Sequence, residues 1–561
     1  MKTEPAVPDR TEASPGTVRK LVFVGFMGAG KSRAARRVAA RLGQEAIDSD
    51  RLLAAELGES IESFFDNHGE AAFREREEAL VLSLLDRPGP AVLALGGGAV
   101  ESARVRERLA HHLSIYLAVD HELAWQRAHD SGRPLARDKA RFGELLAIRT
   151  PLYEATARAV LPTEEGGAPE AALEAAVALQ GPGVPSTVRL IWARTADGGY
   201  PVYVGKGALD AIGALWPGGA RAFSVVDEHV DALHGARLVT ALSPSVPQGA
   251  TVGVPPGERY KTLQEAERVL TELARAGMQR SDALVALGGG VVGDLAGFCG
   301  AVYQRGVPVV HVPSSLVAQI DSAYGGKTGV DLPEAKNYVG SFHQPGAVFT
   351  DPALLSTLPL AELRAGFAEV VKTGLIAGGA LWEDVLALDP IDEAFERNPE
   401  RVEKLIEGCI RLKLDVVARD ELDLGERAAL NLGHTFAHAL EAATGYTRYR
   451  HGEAVALGLL VATRLSEQVL GLEPSVREGV LDLLRQNALP TIFDGPSVDD
   501  LLRHASLDKK RRGAQRNLVL IGAPGRVAIE SEVSEEALRD AIQEIRGDDA
   551  APAAKKKDPR R

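Results

Sequence analysis

Three groups of residues in this chain have the types and spacing of chemical sites. The first is GFMGAGKS over residues 25–32, which fits the pattern GxxxxGK[ST]. In such a loop the backbone amides, here at Gly28, Ala29 and Gly30, wrap phosphates. Lys31 then places a positive charge on the outer phosphates, and the Ser32 hydroxyl is a ligand for Mg²⁺. The second group is a set of strand-to-turn junctions. Residues 91–95 run into Gly96, Gly97 and Gly98, residues 283–287 run into Gly288, Gly289 and Gly290, and residues 307–312 run into Pro313, Ser314 and Ser315. Glycines there let backbone N–H groups approach an anionic ligand, and a following helix offers its positive end. The third group is Glu369, His434, His438 and His451. His434 and His438 stand at i,i+4 on one helix face, but no Glu follows His434, which excludes the HExxH protease motif. A lone His is more often structural; Glu with two His leaves open positions on Zn²⁺, as catalysis requires.

These residues need parallel strands that end where helices begin, and the pattern supplies them. A short apolar run at 21–24 precedes the phosphate loop. The helix that starts at Lys31 places Val38 and Leu42 on one side and stops at Gly43. Asp48 and Asp50 follow a strand-like stretch ending at Ile47. They could serve a metal and an acceptor hydroxyl, or form an Asx turn before a helix. Arg74, Arg76, Glu77 and Glu78 lie on a charged helix, where Arg76 and Glu78 read as a solvated face. Farther on, the strand at 223–226 ends at Asp227, which is placed to bind a ribose hydroxyl or to cap the next helix. Asp294 reads either as a ligand-side group or as a helix N-cap. Beyond Thr357 the pattern is almost all helix.

The predicted fold class is therefore α/β. It starts with a P-loop kinase sheet, parallel with helices on both faces. An α/β nucleotide-binding part follows, and then an all-helical metal-binding part. The expected divisions are a disordered leader over 1–17, a kinase-like domain over 18–180, and a Pro/Gly linker over 181–187. The α/β part then covers 188–356, the helical part 357–546, and a disordered tail 547–561. A length of 561 residues leaves room for two or three domains, and the formal charge of -13 argues against a general nucleic-acid binder. Apolar runs stay short of a membrane span, and the first residues lack the apolar core of a signal peptide. Cys299 and Cys409 lie far apart in apolar patterns and read as buried thiols of a cytoplasmic protein.

The first part resembles shikimate kinase over roughly 20–180, since that family's loop GxMGxGKS matches residues 25–32 letter for letter. The resemblance implies that Asp50, Arg74, Gly96, Gly97, Gly98 and Arg149 hold shikimate. It also implies that Asp48 supports the Mg²⁺ on Ser32, that Glu77 orients Arg74, and that Arg133 closes over ATP. Asp50 could accept the proton of the attacking hydroxyl. The rival is another small-molecule kinase of the same superfamily, such as a gluconate kinase.

From about 189 to 544 the chain resembles 3-dehydroquinate synthase. The resemblance puts Zn²⁺ (or Co²⁺) on Glu369, His434 and His451, with His438 beside the substrate. It puts NAD against Asp227, Glu258, Lys261, Gly289, Gly290, Asp294, Ser314, Ser315 and Lys336. It gives the substrate Arg305, Asp321, Lys327, Asn337, Lys372, Lys413, Arg427, Asn431 and one of Lys509 and Lys510. The implied substrate is 3-deoxy-arabino-heptulosonate 7-phosphate, oxidised at C5, relieved of phosphate by elimination, reduced again and closed by an aldol step to 3-dehydroquinate. The alternatives on this fold are an NAD-dependent polyol dehydrogenase or a sugar-phosphate cyclase. The kinase part could also be a non-catalytic nucleotide sensor. The implied partners are small molecules (ATP, shikimate and the heptulosonate phosphate) and a second copy of the chain through the synthase half, with no nucleic acid and no membrane.

Overall fold

The computed structural model describes residues 19–129, 134–333, 335–512, 518–530 and 533–547, except for the side chains of 134 and 506–512. The strands in chain order are β1 (Leu21–Val24), β2 (Ala46–Asp48), β3 (Val92–Ala94), β4 (Leu113–Val119), β5 (Ala159–Thr163), β6 (Arg189–Ala193), β7 (Tyr200–Val204) and β8 (Ala222–Asp227). They continue as β9 (Gln248–Val254), β10 (Ala283–Gly288), β11 (Val309–Pro313), β12 (Lys327–Leu332), β13 (Ala335–Phe342), β14 (Ala347–Thr350), β15 (Leu518–Ala523) and β16 (Arg526–Glu530).

Twelve of them form one sheet in the order β2-β3-β1-β4-β5-β6-β7-β14-β11-β10-β8-β9. Only β6 and β7 pair antiparallel within it. Strands such as LVFV and ALVALG are apolar throughout and buried along their whole length, because helices cover both faces.

The sequence leads us to expect two sheets, yet the structure joins them. The edge strand β5 pairs parallel with β6 through Ala159 opposite Leu190 and Val160 opposite Ile191. An unpaired edge is exposed to unwanted pairing, and each half here covers the other's edge. The Pro/Gly segment at 181–187 is held in place: Arg158 donates from Nε to the Val188 carbonyl (2.9 Å) and from Nη2 to the Pro185 carbonyl (2.7 Å). One hydrophobic core runs across the junction, from Leu21 and Val22 through Val188 and Leu190 to Phe349.

Three of the strand ends the ligands need lie side by side. Leu287 of β10 is paired with Val226 of β8, and Gly288 with Pro313 of β11, so Asp227, the second glycine turn and Ser314–Ser315 share one sheet edge. The C-terminal part is built on the helices Leu360–Ala377, Pro399–Arg419, His434–Ala443 and His451–Leu470. It also holds the hairpin β15–β16, a departure from the all-helical expectation. The β-branched run LVLIGA followed by Pro524 and Gly525 favours a strand and turn there, and the Ile521 N–H donates to Ser466 Oγ (3.0 Å).

Candidate active sites

The phosphate loop has the backbone its glycines permit, with Gly28 at φ 78 and Gly30 at φ 83. A Cβ on Gly28 would lie 2.6 Å from the Ala124 carbonyl oxygen. Lys31 Nζ donates to the carbonyls of Gly25 (2.8 Å) and Phe26 (3.0 Å), which folds it over the loop. Ser32 and Asp48 line a common groove. Asp48 also caps the helix Ser49–Leu57 through the Arg51 N–H (3.2 Å), so the turn-forming reading of this residue is realised.

Beside the loop lies a cleft of about 420 Å³ lined by Asp50, Arg74, Gly97, Gly98 and Arg149. Arg74 Nη1 donates to Glu77 (2.5 Å), and its Nε lies 3.5 Å from Glu101. Burial raises the Glu77 pKa despite the pull of Arg74. Arg149 Nε donates to the other oxygen of Glu101 (2.9 Å). Arg149 is 1% exposed, and its Nη2 has no hydrogen-bond partner among the described residues. Two guanidinium groups held by one carboxylate, with a buried N–H unspent, form a receptor for a planar anion such as a carboxylate. Arg133 lies outside the described residues.

In the second half, Glu369 Oε1 lies 3.4 Å from His434 Nε2 and 3.2 Å from His451 Nε2. The far nitrogen of each ring already faces an acceptor: His434 Nδ1 the Leu432 carbonyl (3.2 Å), His451 Nδ1 the Glu441 carboxylate (3.5 Å). That arrangement leaves both Nε2 atoms as lone-pair donors toward a shared point, the usual preparation of imidazoles for a metal. The donor set thus fits Zn²⁺ or Co²⁺. His438 lies beside the triad, edge-on to His434 with ring centroids 5.4 Å apart and stacked on His451 at 6.2 Å.

A cationic cluster adjoins this point. Lys372 is 2% exposed and lies 2.5 Å from Glu369 and 3.4 Å from Asp321. Asp321 also accepts from Lys413. Burial would raise the Asp321 pKa, but the two ammonium groups outweigh it and hold the carboxyl below its usual range. Lys413 is lowered, first by burial and also by Arg427 nearby. Arg427 donates to the carbonyls of Gly325 (3.1 Å) and Glu421 (2.8 Å), and Lys327 pairs with Asp423. Asn431 ends the turn Glu426–Asn431, three residues before His434.

Lys261 anchors the side toward the glycine turn. Its Nζ lies 3.1 Å from Asp294, 3.2 Å from Glu258 and 2.6 Å from Asn337 Oδ1. Burial opposes its charge, but Asp294, Glu258 and Asp331 together push its pKa up to about 12. Asp294 in turn is pushed up to about 6 by burial against the pull of Lys261. Lys336 lies 3.5 Å from both Glu258 and Glu441, joining this side to the metal side.

A protein-family model for shikimate kinase matches residues 27–180, and models for the N- and C-terminal parts of 3-dehydroquinate synthase match 251–365 and 366–511. The 3-dehydroquinate synthase of Halorhodospira halophila is 43% identical over 358 residues, 64% of this chain and 99% of that protein. The chain belongs to the 3-dehydroquinate synthase family. Its first part is a shikimate kinase domain, so it joins two shikimate-pathway enzymes. The 2-epi-5-epi-valiolone synthase of Streptomyces hygroscopicus subsp. jinggangensis has the same fold (TM-score 0.59, 24% identity, 63% of this chain and 98% of that one). A 2-deoxy-scyllo-inosose synthase aligns with TM-score 0.58 at 25% identity, over 64% of this chain and all of that one (100%).

The synthase half brings Glu369, His434 and His451 together beside Lys372, Asp321 and Lys413. Arg305 is exposed at the end of the turn Tyr303–Arg305, at the opposite end of the helix Gly290–Val302 from the glycine turn, about 20 Å along the helix at 1.5 Å per residue. Asp294 is not an N-cap, because that helix already begins at Gly290; it is an interior residue paired with Lys261. Lys509 and Lys510 fall in the helix Val498–Arg512, but their side chains lie outside the described residues. Sequence reasoning missed Glu101, Asp331, Asp423 and Glu441. Only Glu441 carried a signal, standing i,i+3 from His438 on the metal helix.

Proposed function

We propose that the kinase domain performs ATP-dependent 3-phosphorylation of shikimate with its carboxylate between Arg74 and Arg149. In this reading Asp50 takes the proton of the attacking hydroxyl, and Lys31 neutralises the outer phosphates. Ser32 and Asp48 would hold Mg²⁺, the usual companion of ATP in such a loop. The unspent Arg149 Nη2 supports the carboxylate placement.

In the synthase half, Glu369, His434 and His451 would hold the metal. Asp227, Glu258, Lys261, Gly289, Gly290, Asp294, Ser314, Ser315 and Lys336 would line the NAD side. Bound there, Zn²⁺ or Co²⁺ supplies Lewis acidity and NAD a hydride acceptor that is restored within the cycle. The solved 2-epi-5-epi-valiolone synthase carries NAD⁺ and Zn²⁺, and the 2-deoxy-scyllo-inosose synthase NAD⁺ and Co²⁺. Lys327, Lys372, Lys413, Arg427, Asn337 and Asn431 bind and orient 3-deoxy-arabino-heptulosonate 7-phosphate, whose carboxylate and phosphate call for several cations. His438 is placed to move a proton beside the metal. The observation that carries this reading is the convergence of Glu369, His434 and His451 next to the Lys372–Asp321–Lys413 cluster.

Cys299 and Cys409 are buried free thiols, which supports a reducing cytoplasm, and no helix among the described residues is long and apolar enough to cross a membrane. Homodimerisation through the synthase half would use a surface other than the β6 edge, which β5 already covers. The test uses the purified full-length chain with each substrate in turn. Lys31→Ala should abolish shikimate-dependent ADP formation and spare the synthase; His434→Ala should abolish synthase turnover with loss of metal and spare the kinase. Full zinc content in His434→Ala would overturn the ligand set, and ATP binding without shikimate-dependent ADP release would favour a nucleotide sensor.

A further inference from the structure

The junction between the two enzymes is more than a covered sheet edge. Arg411, on the synthase helix Pro399–Arg419, lies 2.9 Å from the Glu154 carboxylate of the kinase helix Lys139–Thr156. The same guanidinium donates to Glu407 one turn earlier (2.6 Å), and Glu407 pairs with Arg189 of β6 (2.6 Å). Arg189 closes the ring by donating to the backbone carbonyls of Glu154 (2.6 Å) and Ala157 (2.7 Å). Glu403, Glu407, Arg411 and Asp415 stand at i,i+4 along this helix and form one charged stripe toward the junction. Glu407 is buried, Arg411 and Arg189 are mostly so, and Glu154 is partly exposed.

The opposite side of that helix carries the synthase's business. Lys413 lies two residues after Arg411, about 200° around the helix at 3.6 residues per turn. It reaches Asp321, which also contacts Lys372 beside the metal triad. Rotation or translation of the helix on its kinase-facing stripe therefore moves the Lys413 ammonium directly.

We propose that Glu154 of the kinase domain is a positioning residue for the synthase: through Arg411 it fixes the helix that presents Lys413 to the heptulosonate phosphate. The synthase half then depends on a side chain that a free-standing synthase does not contain. This rests on the assignment of Lys413 to substrate made above.

The test is steady-state kinetics of the synthase in the full-length chain. Glu154→Gln should raise KM for the heptulosonate phosphate about fivefold or more, with kcat within about twofold, since a misplaced binding group weakens ground and transition states alike. Glu154→Asp should recover most of the loss, and Glu154→Gln combined with Arg411→Gln should raise KM by less than the product of the two single changes. Glu174→Gln removes a kinase-domain ion pair, with Arg41, that lies away from the helix Pro399–Arg419, and should leave KM unchanged. An unchanged KM in Glu154→Gln, or an equal rise in Glu174→Gln, overturns the proposal. If Glu154→Gln does not fold, Glu154→Ala decides: a raised KM supports the link, and a folded variant with unchanged KM overturns it. Lys413→Ala separates the two layers. An unchanged KM there overturns the substrate assignment and the proposal with it. A raised KM there beside an unchanged KM in Glu154→Gln overturns the link alone.

Discussion

Replacing Arg149 by Lys keeps the charge of the shikimate cleft and removes its geometry. In the structure one guanidinium does two jobs. Its Nε donates to Glu101 at 2.9 Å, and Nη2 is buried without a hydrogen-bond partner among the described residues. A lysine ammonium concentrates its donors at one point and cannot hold Glu101 and serve a planar carboxylate with the same fork. One charge-assisted hydrogen bond is lost, about 1.5–3 kcal/mol, which corresponds to a factor of about 10–150 in affinity. Because the carboxylate is remote from the transferred phosphoryl group, the loss should fall on KM for shikimate, with kcat and KM for ATP little changed. Initial rates of ADP release at saturating Mg·ATP, over a range of shikimate, give both constants. A KM within twofold of wild type would refute the placement of the carboxylate, and a loss confined to kcat would put Arg149 on the transferring phosphate instead.

Lys372→Met should destabilise metal-free protein by about 3–5 kcal/mol, the cost of breaking a buried ion pair. Burial opposes the charge of Asp321 and Glu369, but Lys372 helps hold both carboxyls below their ordinary range, a stabilisation present near neutral pH and lost as pH falls through the lowered values. The deficit should therefore be smallest in acid and grow toward neutral pH; a pH-independent urea midpoint shift would contradict this. Glu441→Gln should weaken metal binding by about 10–100-fold through the loss of the partner of His451 Nδ1. Chelator competition measures it, and unchanged affinity would remove Glu441 from the account. Lys261→Met should raise the dissociation constant for NAD by about tenfold or more. ATP binding at the phosphate loop should stay as it was, and equal NAD affinity in both proteins would place the cofactor elsewhere.

The parts legible in the sequence are those whose meaning is local. Residues 25–32 fix a strand, a loop and a helix N-terminus together, and the second glycine turn marks a strand end wherever the sheet places it. The His434–His438 spacing fixes one helix face. Glu101, Asp331 and Asp423 are ordinary surface charges in sequence, and become partners of Arg149, Lys261 and Lys327 only through chain segments tens of residues distant. Asp294 was ambiguous because a helix can begin at an Asp as readily as at a glycine turn, and the structure starts this one at Gly290. The β5–β6 pairing was invisible for a further reason: a Pro/Gly segment reads as a spacer, and only the tertiary position of Arg158 turns it into a clamped turn.

The most direct measurement follows phosphate release and NADH together when the full-length chain, loaded with Zn²⁺ and NAD in trace amount, meets 3-deoxy-arabino-heptulosonate 7-phosphate. The account predicts one phosphate and one 3-dehydroquinate per substrate consumed, no accumulation of NADH, and the same rates in Lys31→Ala. NADH rising in step with substrate loss, without phosphate release, would make this half a dehydrogenase and contradict the account.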